Sequence, residues 1–142
     1  MVRDIQRFHV GIKAFILCGR QLLLLRESVE PRWWEIPGGR IDVGEEALPS
    51  EEVLRRELCE ELGKDFRCRI QSPLVTWTRP PHGDRKEFAF LVGFLCMFDG
   101  GEIQLSDEHS ELCWVDRDAW KGLSLAPGYE RALEEFWQRV GA

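Results

Sequence analysis

Much that would hold or anchor this chain from outside a core is missing. It has no Cys-x-x-Cys, and its five cysteines, Cys18, Cys59, Cys68, Cys96 and Cys113, are scattered and odd in number. A disulfide framework and a thiolate zinc site are both disfavoured, so a reducing, cytoplasmic setting is expected, with the cysteines acting as small core hydrophobes. No apolar run is long enough for a membrane span. Val10 to Leu17 is short and broken by Lys13, and Phe88 to Phe98 suits a buried strand. Repeats, low-complexity tracts and Pro/Ser-rich linkers are also lacking. Basic charge is scarce, with 19 Lys and Arg against 25 Asp and Glu. That balance argues against a nucleic acid polymer, whose phosphates need cations. A small nucleotide remains compatible, because bound cations invert a local field. The three histidines, His9, His82 and His109, share no ligand spacing.

What is present suits one globular domain spanning residues 1–142, 44% hydrophobic and 31% charged. The negative charge is unevenly spread. Residues 38–64 hold eight acids against four bases, so most of the net charge of −6 lies in this stretch. Such density resists folding unless cations offset it.

The pattern predicts strands over Phe8–Leu17 and Gln21–Arg26, joined by a turn at Cys18–Arg20. A loop with one short extended piece follows, broken at Pro37–Gly38–Gly39, and Arg40 to Leu48 reads as loop. Ser50 is the expected N-cap of a helix running to Leu62, with Glu51 and Glu52 in its first turn and Gly63 as its stop. Strands over Arg67–Thr78 and Lys86–Phe98 flank a polar loop. A short strand is expected at Leu112–Val115, a short helix after Asp116, and a last helix from Gly128 or Tyr129 to about Val140. The fold class is α/β, layered around a mixed sheet.

Helical spacing sorts the acids. Leu54, Leu58 and Leu62 form one i, i+4 stripe that anchors the helix on the sheet. Glu57 and Glu61 stand one turn apart on an adjoining face, with Glu60 to their side. Their carboxylates can converge on a hard cation, and oxygen ligands point to Mg2+ or Mn2+. A solvated acidic face paired with Arg55 and Arg56 is the other reading.

The preceding residues add a longer pattern. Gly39, five residues, Glu45, and then Arg56-Glu57-Leu58-Cys59-Glu60-Glu61-Leu62-Gly63 resemble the signature box of the Nudix hydrolases. The lead-in Trp34-Glu35-Ile36-Pro37-Gly38-Gly39 is similar too. Two departures stand out: ten residues where the family has seven between Glu45 and Arg56, and Lys64 where it has an aliphatic. The resemblance covers nearly the whole chain and implies an α/β/α sandwich.

It also implies an Mg2+- or Mn2+-dependent hydrolase. Such an enzyme cleaves the pyrophosphate linkage of a nucleoside diphosphate derivative or nucleoside triphosphate by water attack at phosphorus. The alternative is a nucleotide-binding or sensor domain on the same scaffold. By matched position, Glu57, Glu60 and Glu61 are the metal ligands, with the Gly38 carbonyl as an addition. Arg56 orients Glu57 or Glu60, and Glu45 braces Arg56. The base comes from the box helix, as Glu60, or from the later loop, where Glu111 is the first candidate and Glu108 the second. His109 is expected to be structural.

Trp34 and Trp77 are candidate platforms for a nucleobase, against a core or dimer-packing reading, so a homodimer stays open. Arg40 and Arg79 are candidate substrate contacts, and Arg85 and Lys86 flank the same polar loop. Trp120 and Trp137 are expected in the core. The expected partner is a nucleotide or nucleotide-sugar, with no membrane.

Overall fold

The computed structural model describes residues 2–141. Among these, seven strands form one mixed sheet: β1 (Phe8–Cys18), β2 (Gln21–Glu27), β3 (Trp34–Glu35), β4 (Gly38–Arg40), β5 (Cys68–Arg79), β6 (Phe88–Phe98) and β7 (His109–Val115). The order is β3-β2-β1-β6-β5, with β4 added to β1 and β7 to β2. β1 and β6 run parallel, and the other pairings are antiparallel. No helix among the described residues is long and apolar enough to cross a membrane.

Two helices cover the two faces. α1 (Ser50–Leu62) buries Val53, Leu54, Leu58 and Leu62 against Ile12, Ala14, Ile16, Leu23 and Leu25. α2 (Tyr129–Arg139) buries Leu133, Phe136 and Trp137 against Phe15, Leu22, Leu24, Val75 and Trp77. Strand alternation explains the split. Along β1 and β2, successive side chains enter opposite cores. Because both faces are covered, the strands read as continuous apolar runs instead of alternating ones. The result is the expected α/β/α layering.

Several boundaries differ from expectation. Pro49, not Ser50, occupies the cap of α1, and no side chain caps it. Its carbonyl takes the N–H of Glu52 at 3.0 Å, and Ser50 is already helical. β7 starts at His109, three residues before the expected Leu112, because its ladder with β2 continues back to Glu27. The cysteines are free, but only Cys96 is buried; Cys18 and Cys59 are exposed. Trp120 and Trp137 lie in the core as expected.

Candidate active site

The acidic wall is built from the Gly38–Gly39 turn and α1. The lead-in lies along β1, with Gly39 opposite Ile12 and Gly38 opposite Lys13. Gly38 has φ +130°, and a Cβ there would strike the Ile12 carbonyl and the Lys13 backbone. A Cβ on Gly39 would run into the Glu57 carboxylate. One glycine supplies the conformation, and the other lets a helix carboxylate lie directly on the turn. The Gly38 N–H donates to Glu61 Oε1 at 2.7 Å, so the turn also aims the second carboxylate.

Arg56 ties the loop to the helix. Its Nε and Nη2 donate to the two oxygens of Glu45, at 2.6 and 2.7 Å. Its Nη2 lies 3.0 Å from Glu57, and its Nη1 3.1 Å from Glu60. The three extra residues do not displace Glu45. The longer spacer leaves it through a turn closed by Leu48 N–H to Glu45 O at 3.0 Å. The Arg56 fork and the Asp42 N–H hold the Glu45 carboxyl below its ordinary range.

A cleft of about 260 Å³ opens beside this wall. Glu57, Glu61 and Glu108 are among its acids, and Arg40, Arg79 and Arg85 among its bases. Arg40 Nη1 lies 2.8 Å from His9 Nδ1. Burial lowers its pKa, and the like charges of Arg85 and Arg79 add to the effect. Among the described residues, neither Arg40 nor Arg85 has a carboxylate within ion-pair distance. The cleft therefore offers carboxylates for a cation and unpaired guanidinium groups for an anion.

Its buried floor is a charged network. Lys13 Nζ donates to Glu35 Oε1 at 3.3 Å and to the Ile36 and Gly38 carbonyls at 3.2 Å each. Glu35 also accepts from Tyr129 Oη at 3.3 Å and pairs with His109 Nε2 at 2.9 Å. Arg79 reaches Glu35 at 3.5 Å and Glu27 at 3.3 Å. Burial opposes both charges, but each is outweighed by its partners. Glu35, Tyr129 and Glu61 hold Lys13 above its ordinary value, and Lys13, His109 and Arg79 hold Glu35 well below its own. Glu35 is an ionised acceptor at neutral pH.

Burial pushes Glu57 up, and Glu61 up to about 8. For Glu61, Lys13 and the Gly38 N–H resist the shift, whereas Glu35 and Glu108 add to it. Burial disfavours the charged form of such a carboxyl, and a cation beside it would offset that cost. The donor set therefore fits a hard divalent ion, held by carboxylate oxygen. Glu60 is the exposed member, turned to Arg56. The Gly38 carbonyl accepts from Lys13 and retains its second lone pair.

The later loop reverses the expected order. Glu108 lines the cleft, and Glu111 does not. Because β7 starts early, Glu111 sits in the ladder opposite Arg26. Its Oε2 takes Arg26 at 3.0 Å and lies 3.5 Å from Arg32. Trp77 is likewise removed from the site. It is 5% exposed on the α2 face of β5, packed against Phe15 and Tyr129, and offers no face to a base. Trp34 is half-buried against the α2-side core, with the Arg26 guanidinium over its ring, and does not line the cleft. Lys13, Glu35, Glu27 and Tyr129 line the cleft without having been singled out from sequence. A lysine inside an apolar strand was the available signal for the first.

A family model described as NUDIX domain matches residues 7–136. A Bacillus subtilis protein provisionally named an 8-oxo-dGTP diphosphatase is 30% identical over 128 residues, covering 89% of this chain and 78% of its own. The Escherichia coli nucleoside triphosphatase NudI is 29% identical over 111 residues, 72% of each chain. Among solved structures, a MutT protein from Methanosarcina mazei aligns with a TM-score of 0.76 at 22% identity, over 98% of this chain and 99% of that one, which speaks to the fold. With the Arg56–Glu61 constellation seated beside the Gly38–Gly39 turn, these matches show that the chain belongs to the Nudix family, as a pyrophosphohydrolase of Nudix type.

Proposed function

We propose that the chain hydrolyses the pyrophosphate linkage of a nucleoside triphosphate or nucleoside diphosphate derivative, with Mg2+ or Mn2+ as its metal. The supporting observation is one cleft that joins Glu57, Glu61 and Glu108 to Arg40, Arg79 and Arg85. Acids alone would suit a cation, and bases alone an anion. Both together suit a polyphosphate carried with its divalent ion. The names of the relatives, one provisionally an 8-oxo-dGTP diphosphatase and the other a nucleoside triphosphatase, point to the same substrate class.

Glu57 and Glu61 would hold the metal. Glu60 would join by turning from Arg56, and the Gly38 carbonyl would add its free lone pair. The divalent ion supplies charge neutralisation on the phosphates and a lowered pKa for water. The rest falls to side chains. Arg40 and Arg85 hold the phosphate oxygens. Glu108, at the cleft, accepts the proton of the attacking water. That water forms a bond to phosphorus in line with the bridging oxygen, whose bond breaks and whose electrons leave with the departing phosphate. Arg56 positions Glu57 and Glu60 without touching substrate, and Glu45 keeps Arg56 in place.

The test is a panel of nucleoside triphosphates, oxidised triphosphates, sugar nucleotides and dinucleoside polyphosphates. Products are identified with Mg2+, with Mn2+ and with EDTA. Metal-dependent release of a nucleoside monophosphate is expected. Tight nucleotide binding with no turnover across the panel would overturn the reading in favour of a sensor domain.

A further inference from the structure

The floor of the cleft contains a ring nitrogen that the reading above does not use. His109 is 4% exposed, and its Nδ1 is buried with no hydrogen-bond partner among the described residues. Its Nε2 is committed to Glu35 Oε2 at 2.9 Å. The Glu35 carboxylate also lies 3.3 Å from the Lys13 ammonium and 3.5 Å from the Arg79 guanidinium, so in its contact with His109 the oxygen accepts and the imidazole donates. A neutral His109 thus carries its proton on Nε2 and a bare lone pair on Nδ1. A buried lone pair left unsatisfied is costly, and water or a cation is the usual remedy.

The surroundings favour the cation. A ring nitrogen of His109 and one carboxylate oxygen each from Glu61 and Glu108 lie within 4.8 Å of one another. Three donors at that separation can close on one ion with small side-chain movements. The link from Glu35 to Nε2 is also the outer-shell arrangement that metal-binding histidines commonly show, in which a carboxylate fixes tautomer and ring orientation. Here the carboxylate is itself fixed by an ammonium, a guanidinium and a phenol.

We infer that Glu61, Glu108 and His109 form a mixed oxygen and nitrogen metal site, with His109 Nδ1 as the nitrogen donor. The inference rests on the pyrophosphohydrolase reading of the cleft; it gives one oxygen of Glu108 to the ion, leaves the other for the proton, and adds the identity of the preferred metal. An imidazole donor shifts preference from Mg2+, which favours oxygen alone, toward Mn2+, Co2+ or Zn2+. It also assigns Glu35 a task, that of holding the His109 ring with Nδ1 bare.

The test is pulsed electron paramagnetic resonance of the full chain loaded with Mn2+. Nitrogen-14 modulation of imidazole type is expected from the native protein and absent from His109→Gln. Mn2+ titration should show His109→Gln weakened at least about tenfold while Mg2+ affinity changes less. An all-oxygen spectrum from the native protein would overturn the inference, as would nitrogen coupling that persists in His109→Gln. The native spectrum alone decides the matter should the variant fail to fold. An all-oxygen site in a protein that still releases nucleoside monophosphate would remove the His109 donor and leave the hydrolase reading standing. Loss of the hydrolase reading would instead appear as absent turnover, whatever the spectrum.

Discussion

Two charged constellations meet at the cleft, and they differ in what surrounds them. Around Arg56, the partners Glu45, Glu57 and Glu60 are arranged at the rim, where Glu60 is exposed and Asp42 more so. Around Glu35, the partners Lys13, Arg79, His109 and Tyr129 are all buried. Water screens Glu60 and Asp42, so these two can exchange partners at little cost, as a ligand must when a metal arrives, while Glu45 and Glu57 lie deeper. The second set has no such freedom. Removing one member leaves its partner charged in a low-dielectric interior. The rim is therefore suited to bind and release, and the floor to stay still beneath it. The two are linked at Gly38, whose carbonyl takes Lys13 and whose N–H aims Glu61.

The strongest challenge to this contrast is to cut the floor. Lys13→Met removes the ammonium from Glu35 and from two backbone carbonyls. A loss of about 3–5 kcal/mol in unfolding free energy is expected from urea denaturation, the cost typical of breaking a buried ion pair. Lys13→Met combined with Glu35→Leu should recover part of that loss, since both charges then leave together. A single-variant cost below about 1 kcal/mol, the value of an exposed pair, would erase the distinction.

Next in size is the step from floor to rim. Glu61→Gln and Glu57→Gln should each lower turnover at least about a hundredfold, or roughly 2.7 kcal/mol in the barrier, with circular dichroism unchanged. Turnover indifferent to both changes and to EDTA would sink the site. Glu61 also sets a pH dependence for the metal-free protein. Its folded pKa of about 8 lies above its ordinary 4.5. The folded state therefore binds the extra proton, and that stabilisation is full below about pH 4.5 and lost as pH rises toward 8. Glu35, held low, acts in the opposite sense: its contribution is present above its ordinary value and lost only in acid. In EDTA the urea midpoint should fall between pH 5.5 and 8. Saturating Mg2+ or Mn2+ should flatten that fall, because a cation replaces the proton on Glu61. A midpoint equally flat with and without metal would show that Glu61 is not the buried, cation-seeking carboxyl described.

The same contrast explains what could be read from the sequence. The rim is local. Glu57, Glu60 and Glu61 share one helix, and Leu54, Leu58 and Leu62 mark its buried stripe, so 3.6-residue periodicity was enough to place them. The layered α/β class with a mixed sheet also followed, because the apolar runs have strand length and the helices show stripes, whereas the α/β/α sandwich came from the family resemblance. The floor is assembled from positions 13, 35, 79, 109 and 129, on four strands and a helix. No spacing rule joins residues that only the sheet brings together. Lys13 read as an interruption of an apolar run, and Trp77 as a platform, because the face each side chain takes depends on register. Glu45 illustrates the converse. A count of three extra residues said nothing about whether the longer spacer still lets Glu45 meet Arg56.

The smallest expected effect concerns Glu108 and Glu111, three residues apart and in different environments. From sequence both are acids on one polar loop. In the structure Glu108 lines the cleft, and Glu111 is tied across the β2–β7 ladder to Arg26 and Arg32. The half-exposed pair of Glu111 should contribute no more than about 1 kcal/mol. Glu111→Gln should accordingly leave turnover within about twofold, a change measured against an exposed ion pair alone. Glu108→Gln should lower kcat by about tenfold or more, the low end for a lost proton acceptor or metal donor. Equal and small effects from both would mean that the base lies on α1, and attention would pass to Glu60, the one box acid with freedom to turn. Equal and large effects would mean that the ladder itself, through Arg26 and β2, transmits strain to the cleft. The separation of the two glutamates is thus the finest available measure of whether burial and register, and not residue type, divide the working carboxylates from the structural ones.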